Sequence, residues 1–183
     1  MAVDRARYEP IARQAATVAG YDPDLFVAQI TLESGWNTEA VSRAGAIGIA
    51  QIIPQWHPGV NPRDPVASLQ YAANLIASYV REFGSERLAL QAYNGGPSSL
   101  RATGTPPPGT EGYAQSLLDA RDAMRAAGGG SAGNDAAGTS SDETASKADS
   151  TLAVLASNVP VDRRWAALLA AAAALVLFVA VSD

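Results

Sequence analysis

The sequence predicts an all-α domain over residues 1–127, a flexible linker over 128–160 and a C-terminal transmembrane helix over 161–183. Three observations carry this. Apolar residues recur at helical spacing through the first part, with no convincing period-2 strand pattern. The stretch GGGSAGNDAAGTSSDETASKADS (128–150) has no aromatic or bulky aliphatic residue and so cannot bury a core. Finally, Trp165 to Val181 is an unbroken 17-residue run of Trp, Ala, Leu, Val and Phe.

The first helix is expected over residues 3–19, with Ile11, Ala15, Val18 and Ala19 on its apolar stripe and Gly20 as its stop. Asp22-Pro23 supplies an N-cap and a proline at the first helical position, so a second helix runs from Pro23 to about Ser34. Phe26, Ile30 and Glu33 share one face of it, an odd place for a carboxylate without a task. Residues 35–50 read mostly as loop, in which Gly45 and Gly48 permit positive φ or close backbone approach. Asp64-Pro65 repeats the cap-plus-proline signal, and Leu69, Ala73, Ile76, Val80 and Phe83 form a buried helical face ended by Gly84. Ser85 caps a short helix through Ala92, and Tyr93-Asn94 precede a turn at Gly95-Gly96. The run 105–109 is a turn or extended spacer, followed by a helix over 111–126 with Tyr113, Leu117, Ala120 and Met124 on one face. Residues 151–159 regain apolar character before Pro160.

At about 1.5 Å per residue, the run 165–181 just crosses a hydrocarbon core of about 30 Å with help from its flanks. Arg163-Arg164 precede it and Trp165 sits at the interface position. The net charge of −5 divides as −2 over residues 1–127, −3 over 128–160 and zero over 161–183. No basic patch stands out, which argues against nucleic acid as a partner. Cysteine is absent and His57 is the only histidine, leaving no thiol nucleophile, no disulfide framework and no metal-ligand cluster; no cofactor is expected.

Cleavage of a glycosidic bond needs a carboxyl that stays protonated near neutral pH, and burial favours that form. Glu33 on an apolar face is placed for it. Around Glu33 stand linked motifs: Glu33-Ser34-Gly35-Trp36, then Ser42 to Pro54 reading S-x-x-G-A-x-G-[aliphatic]-x-Q-x-x-P, then Ala92-Tyr93-Asn94-Gly95-Gly96, and Thr110-Glu111-Gly112-Tyr113. In this order and spacing they resemble a soluble-lytic-transglycosylase-like domain of the lysozyme superfamily, over about residues 10–120.

The resemblance implies peptidoglycan glycan strands as substrate and Glu33 as the single catalytic acid/base. It would protonate the oxygen between MurNAc and GlcNAc, then take the proton of the MurNAc 6-hydroxyl, whose attack leaves a 1,6-anhydro end. Gln51 matches the family's sugar-binding glutamine, and Tyr93 the tyrosine whose hydroxyl approaches the catalytic Glu. Asn94 has two readings, a sugar contact or a cap on the following turn. Tyr113 either lines the cleft or fills the core. Ser34 and Ser42 match serines that orient Glu33 or the loop, with Gly45 and Gly48 in its turn. Ile49-Ala50 departs from the family's common Leu-Met, which bears on subsite preference. No motif demands a second carboxylate; Asp64 reads as a helix cap and Glu39 as a surface charge. Trp56 has two readings, a loop residue or a sugar-stacking one.

No apolar secretory segment opens the chain, so a C-terminal anchor would leave the domain in the cytosol, where there is no wall. The expectation is a virion-associated enzyme of a bacteriophage with an internal membrane, a type known to carry transglycosylases of this family, opening the wall for genome delivery, with other virion proteins as partners. Alternatives are a bacterial envelope transglycosylase, a lysozyme-type hydrolase, or a non-catalytic, membrane-anchored glycan-binding virion protein.

Overall fold

The computed structural model describes residues 4–129, which form six helices: α1 (Arg5–Ala19), α2 (Pro23–Ser34), α3 (Pro65–Phe83), α4 (Glu86–Gly95), α5 (Ser98–Thr103) and α6 (Glu111–Gly129). Among these residues there is no strand; only isolated bridges pair Val41 with Ile47 and Ile47 with Ile52. The linker from residue 130 onward and the apolar run 165–181 lie outside the described residues. Within them, no helix is long and apolar enough to cross a membrane.

Helix α2 is the middle of the domain. Leu25 to Ile30 are six consecutive buried residues, so the helix is enclosed on every side. It packs on α1 and α6, while α3 packs on α1 and α4, and α4 on α6. Its start is fixed by Asp22, whose carboxylate accepts from the Asp24 N–H at 3.0 Å and the Leu25 N–H at 3.4 Å, with Pro23 needing no partner. Its end is Gly35, left-handed at φ 58°. The same device starts α3, where Asp64 accepts from Val66 and Ala67.

The structure corrects three sequence expectations. The buried stripe of α1 is Tyr8, Ala12 and Ala16, rotated from the expected one; Ile11, Ala15 and Ala19 are half-buried flanks and Val18 is 80 % exposed. Small alanines let α1 approach α3, whose Ala72, Ala73 and Ala77 are also buried, and that close approach outweighs the larger apolar side chains. Helix α4 runs three residues past Ala92, so Tyr93 and Asn94 sit on its last turn. A short helix, α5, holds itself on one buried residue, Leu100.

Candidate active site

Glu33 lies on the last turn of α2, half-buried, two residues before the left-handed Gly35. Burial pushes its carboxyl up from the ordinary 4.5 to about 7, against a hydrogen bond from Tyr113 that acts in the opposite sense. The negative end of the α2 dipole adds to the upward push. Glu33 is therefore protonated in good part at neutral pH, while its remaining exposure leaves it reachable.

That hydrogen bond joins residues 80 apart: the Tyr113 O–H, on the first turn of α6, donates to Glu33 Oε1 at 2.6 Å. Tyr93 was the tyrosine expected to approach the carboxyl. Its hydroxyl instead donates to the Ala50 carbonyl at 2.9 Å, which fastens α4 to the loop following α2. Tyr93 still stands near enough for the Glu33 charge to raise its phenol, second to burial. Of the two tyrosines, the later one holds the carboxyl and the earlier one holds the loop.

The loop 40–52 is built as a shelf beside Glu33. Ser34, the neighbour of Glu33, donates through Oγ to the Ile49 carbonyl at 2.7 Å. Ser42 Oγ accepts from the Ala46 N–H at 3.0 Å, closing the turn that contains exposed Gly45. Gly48 has φ 77°, and a Cβ there would run into the Pro62 carbonyl oxygen, so only glycine lets the two segments meet. Gln51 takes a left-handed φ of 49°, uncommon for a side chain of its size. Its Nε2 donates to the Gly48 carbonyl at 3.0 Å and the Ala40 carbonyl at 3.4 Å. Both amide hydrogens are thus spent on the loop, and Oε1 is the end of the amide not used to hold it.

Asn94 follows Tyr93 on the α4 turn, with its Oδ1 buried and without a protein partner. Next to it, a Cβ on Gly95 would clash with Pro107 and Thr110, so the turn lies close under the segment leading to α6. Sequence reasoning missed this contact and also the lock on Trp36. Trp36 is buried at φ 68° and its indole N–H donates to Thr31 Oγ1 at 3.0 Å, which fixes the chain as it leaves Glu33.

Asp64 caps α3 and Glu39 faces Arg63 on the surface at 3.4 Å, so both alternative carboxylates are engaged elsewhere. Among the described residues no group of three or more His, Asp or Glu side chains is arranged to hold a metal ion. His57 stands 2.8 Å from the Tyr71 hydroxyl through Nδ1, with its pKa lowered by burial. The arrangement as a whole offers one protonated, reachable carboxyl with a phenol bonded to it, beside a rigid shelf of backbone.

Comparison with known proteins agrees with this geometry. Over a 48-residue stretch the chain is 42% identical to the endo-type membrane-bound lytic murein transglycosylase A of Klebsiella pneumoniae, in each of two strains. The stretch covers 26% of this chain and 24% of each relative, so the chain spans about a quarter of the length of the curated relatives it matches. No solved structure matches the chain. A family model for the transglycosylase SLT domain matches residues 10–111, stopping two residues short of Tyr113. With that match over more than half of its length, the chain belongs to the transglycosylase SLT domain family.

Proposed function

We propose that residues 4–129 form a peptidoglycan lytic transglycosylase in which Glu33 is the only acid/base. The observation that carries this is a half-buried carboxyl on the last turn of α2, bonded by the Tyr113 hydroxyl at 2.6 Å beside the shelf 40–52, where burial pushes its pKa to about 7. Protonated, Glu33 gives its proton to the oxygen linking MurNAc to GlcNAc, and the bond from MurNAc C1 to that oxygen breaks. As a carboxylate, Glu33 then takes the proton of the MurNAc 6-hydroxyl, whose oxygen bonds to C1. A 1,6-anhydro end results and Glu33 is reprotonated, with no water consumed. A group poised near neutral pH suits both halves of this cycle, because neither form is costly.

Tyr113 orients the carboxyl, its O–H donating to a carboxyl oxygen whether Glu33 is neutral or charged, and more strongly when it is charged. The shelf 40–52, held by Ser34, Ser42, Gly48 and Tyr93, forms the floor against which the sugars lie. Gln51 Oε1 takes hydroxyl or N-acetyl N–H donors from them, while Asn94, with its Oδ1 buried, supports the turn at the end of α4. The test is muropeptide analysis of walls digested by the full chain. Anhydro ends are expected from wild type and none from Glu33→Gln; equal product from both would remove Glu33 from the chemistry.

The run 165–181 anchors the domain to a membrane, supported by its unbroken apolar character, by Arg163-Arg164 beside it, and by the membrane-bound name of the relatives. The reading for its place of action is the internal membrane of a phage particle, with Arg163-Arg164 keeping the preceding domain on the leaflet that faces the capsid. Membrane flotation of the full chain and of a chain ended at residue 129 tests the anchor. Only the full chain is expected to float with lipid, and its presence in purified particles tests the location.

A further inference from the structure

Among the described residues, the large apolar side chains left exposed are three valines and one tryptophan, Trp56, at 63 %. A lone apolar surface residue is ordinary. What sets Trp56 apart is the base that presents it. Its N–H donates to the Ile53 carbonyl at 3.1 Å, closing a turn. The next residue, His57, meets Tyr71 of α3 through a 2.8 Å hydrogen bond, with the two rings edge-to-face at 5.4 Å. Ser68 Oγ of α3 donates to the Pro62 carbonyl at 3.2 Å at the far end of the loop, and Pro62 in turn covers Gly48. The loop 53–62 is therefore clamped to α3 at its middle, through His57, and at its far end, through Pro62, which also meets the shelf beside Glu33. A rigid, amphipathic indole is shown to solvent on a fixed support.

Its position relative to the site is bounded by the chain. The turn keeps the Cα atoms of Ile53 and Trp56 within about 7 Å. Ile53 is two residues from Gln51, at most about 7 Å. Trp56 thus stands no more than about 14 Å from Gln51, by the same two steps. Tyr71, on which this corner rests, is close enough to Tyr93 to add a little to the burial that raises the Tyr93 phenol. A β-1,4-linked glycan is an extended polymer, and a strand seated at Glu33 must continue across the surface on either side. Each pyranose ring has an apolar C–H face that an indole can cover without needing a hydrogen-bond partner.

We infer that Trp56 is the platform of a further glycan subsite, stacking a pyranose ring a few sugars from the bond cleaved at Glu33. The inference rests on the proposed activity and adds a chain-length preference to it. Long strands would gain affinity from Trp56 that short fragments do not reach.

The test compares wild type, Trp56→Ala and Trp56→Phe in the full chain, on long uncrosslinked glycan strands and on short muropeptide fragments. Trp56→Ala is expected to raise KM for long strands three- to tenfold more than KM for fragments, with kcat little affected, and Trp56→Phe to restore part of the difference. Equal effects on both substrates, or none, would overturn the subsite. Binding of GlcNAc oligomers to the Glu33→Gln protein, followed by calorimetry, separates this from failure of the proposed activity. A hexamer that binds three- to tenfold more weakly after Trp56→Ala, with a dimer unaffected, supports the subsite whatever the product chemistry; equal hexamer affinities remove it.

Discussion

Glu33 and Tyr113 together set a pH dependence whose sign can be worked out. Glu33 must be protonated to start the cycle, so kcat/KM should fall as pH rises through about 7. The Tyr113 hydrogen bond favours the charged carboxylate, so removing it raises the Glu33 pKa. Tyr113→Phe should move the descending limb to higher pH; a limb that stays put would mean the 2.6 Å bond has no bearing on the acid. The same group affects stability. Its folded pKa lies above its unfolded value, so its contribution is fully present below about 4.5 and is lost as pH rises through about 7. The loss is at most roughly 3 kcal/mol, reduced by the partial exposure of Glu33. Glu33→Gln escapes it. Chemical denaturation should find the variant more stable than wild type at pH 8 by on the order of 1–2 kcal/mol, and about equal at pH 4.

At this scale the sequence displayed Glu33 through its company: a carboxylate on a face with Phe26 and Ile30 most often just turns to solvent, and the linked motifs from Ser34 to Tyr113 are what single it out. It did not distinguish the two tyrosines. Tyr93 and Tyr113 each follow a recognisable motif, and which hydroxyl reaches Glu33 depends on how α4 and α6 dock, which no local pattern encodes. Gln51 was legible only through the resemblance, as the glutamine that follows the glycine-rich turn. That its amide would turn inward to Gly48 and Ala40 follows from a left-handed backbone that only the closed loop imposes.

The elements differ in how plainly their boundaries are written. Helices α2 and α3 begin at Asp-Pro pairs and end at glycines, and both were expected within a residue of where they lie. Helix α5 was invisible because six residues with one buried side chain carry no period. The loop 40–52 is the element on which the site depends, and its glycines can be ranked. Gly45 has open space around an added Cβ, so Gly45→Ala costs only the left-handed backbone, about 1–2 kcal/mol. Gly48→Ala adds a collision with backbone at Pro62 that no side-chain movement relieves. It should lower the unfolding midpoint clearly more than Gly45→Ala and reduce kcat as well, because the floor beside Glu33 must shift. Equal effects would show that the contact with Pro62 is loose.

Across the whole molecule, α2 is the enclosed centre and the other helices are arranged to bring distant segments to its C-terminal end. Arg121 of α6 reaches Glu86 of α4 at 2.6 Å, and Arg125 reaches the α2 cap Asp22 at 2.6 Å. Together with apolar packing by Leu117 and Ala120, these contacts seat α6 so that Tyr113 arrives at Glu33. The all-α class and the order of helices were legible because apolar spacing and caps are local. The rotation of α1 was not, because alanine reads as weakly apolar in sequence yet wins the closest packing position in space. The consequence for mechanism is that one carboxyl is assembled at the centre, with Asp64 and Glu39 committed to a cap and a surface pair. A single acid/base, Glu33, is the central proposal, and it predicts that the 6-hydroxyl of the substrate, rather than water, is the nucleophile.

The most direct measurement is cleavage of purified glycan strands by the full chain in water enriched in heavy oxygen, with the new ends read by mass spectrometry. Internal attack by the 6-hydroxyl predicts anhydro ends that carry none of the label. Reducing ends that carry one labelled oxygen would mean that water is the nucleophile, and would contradict the single-carboxyl mechanism built on Glu33.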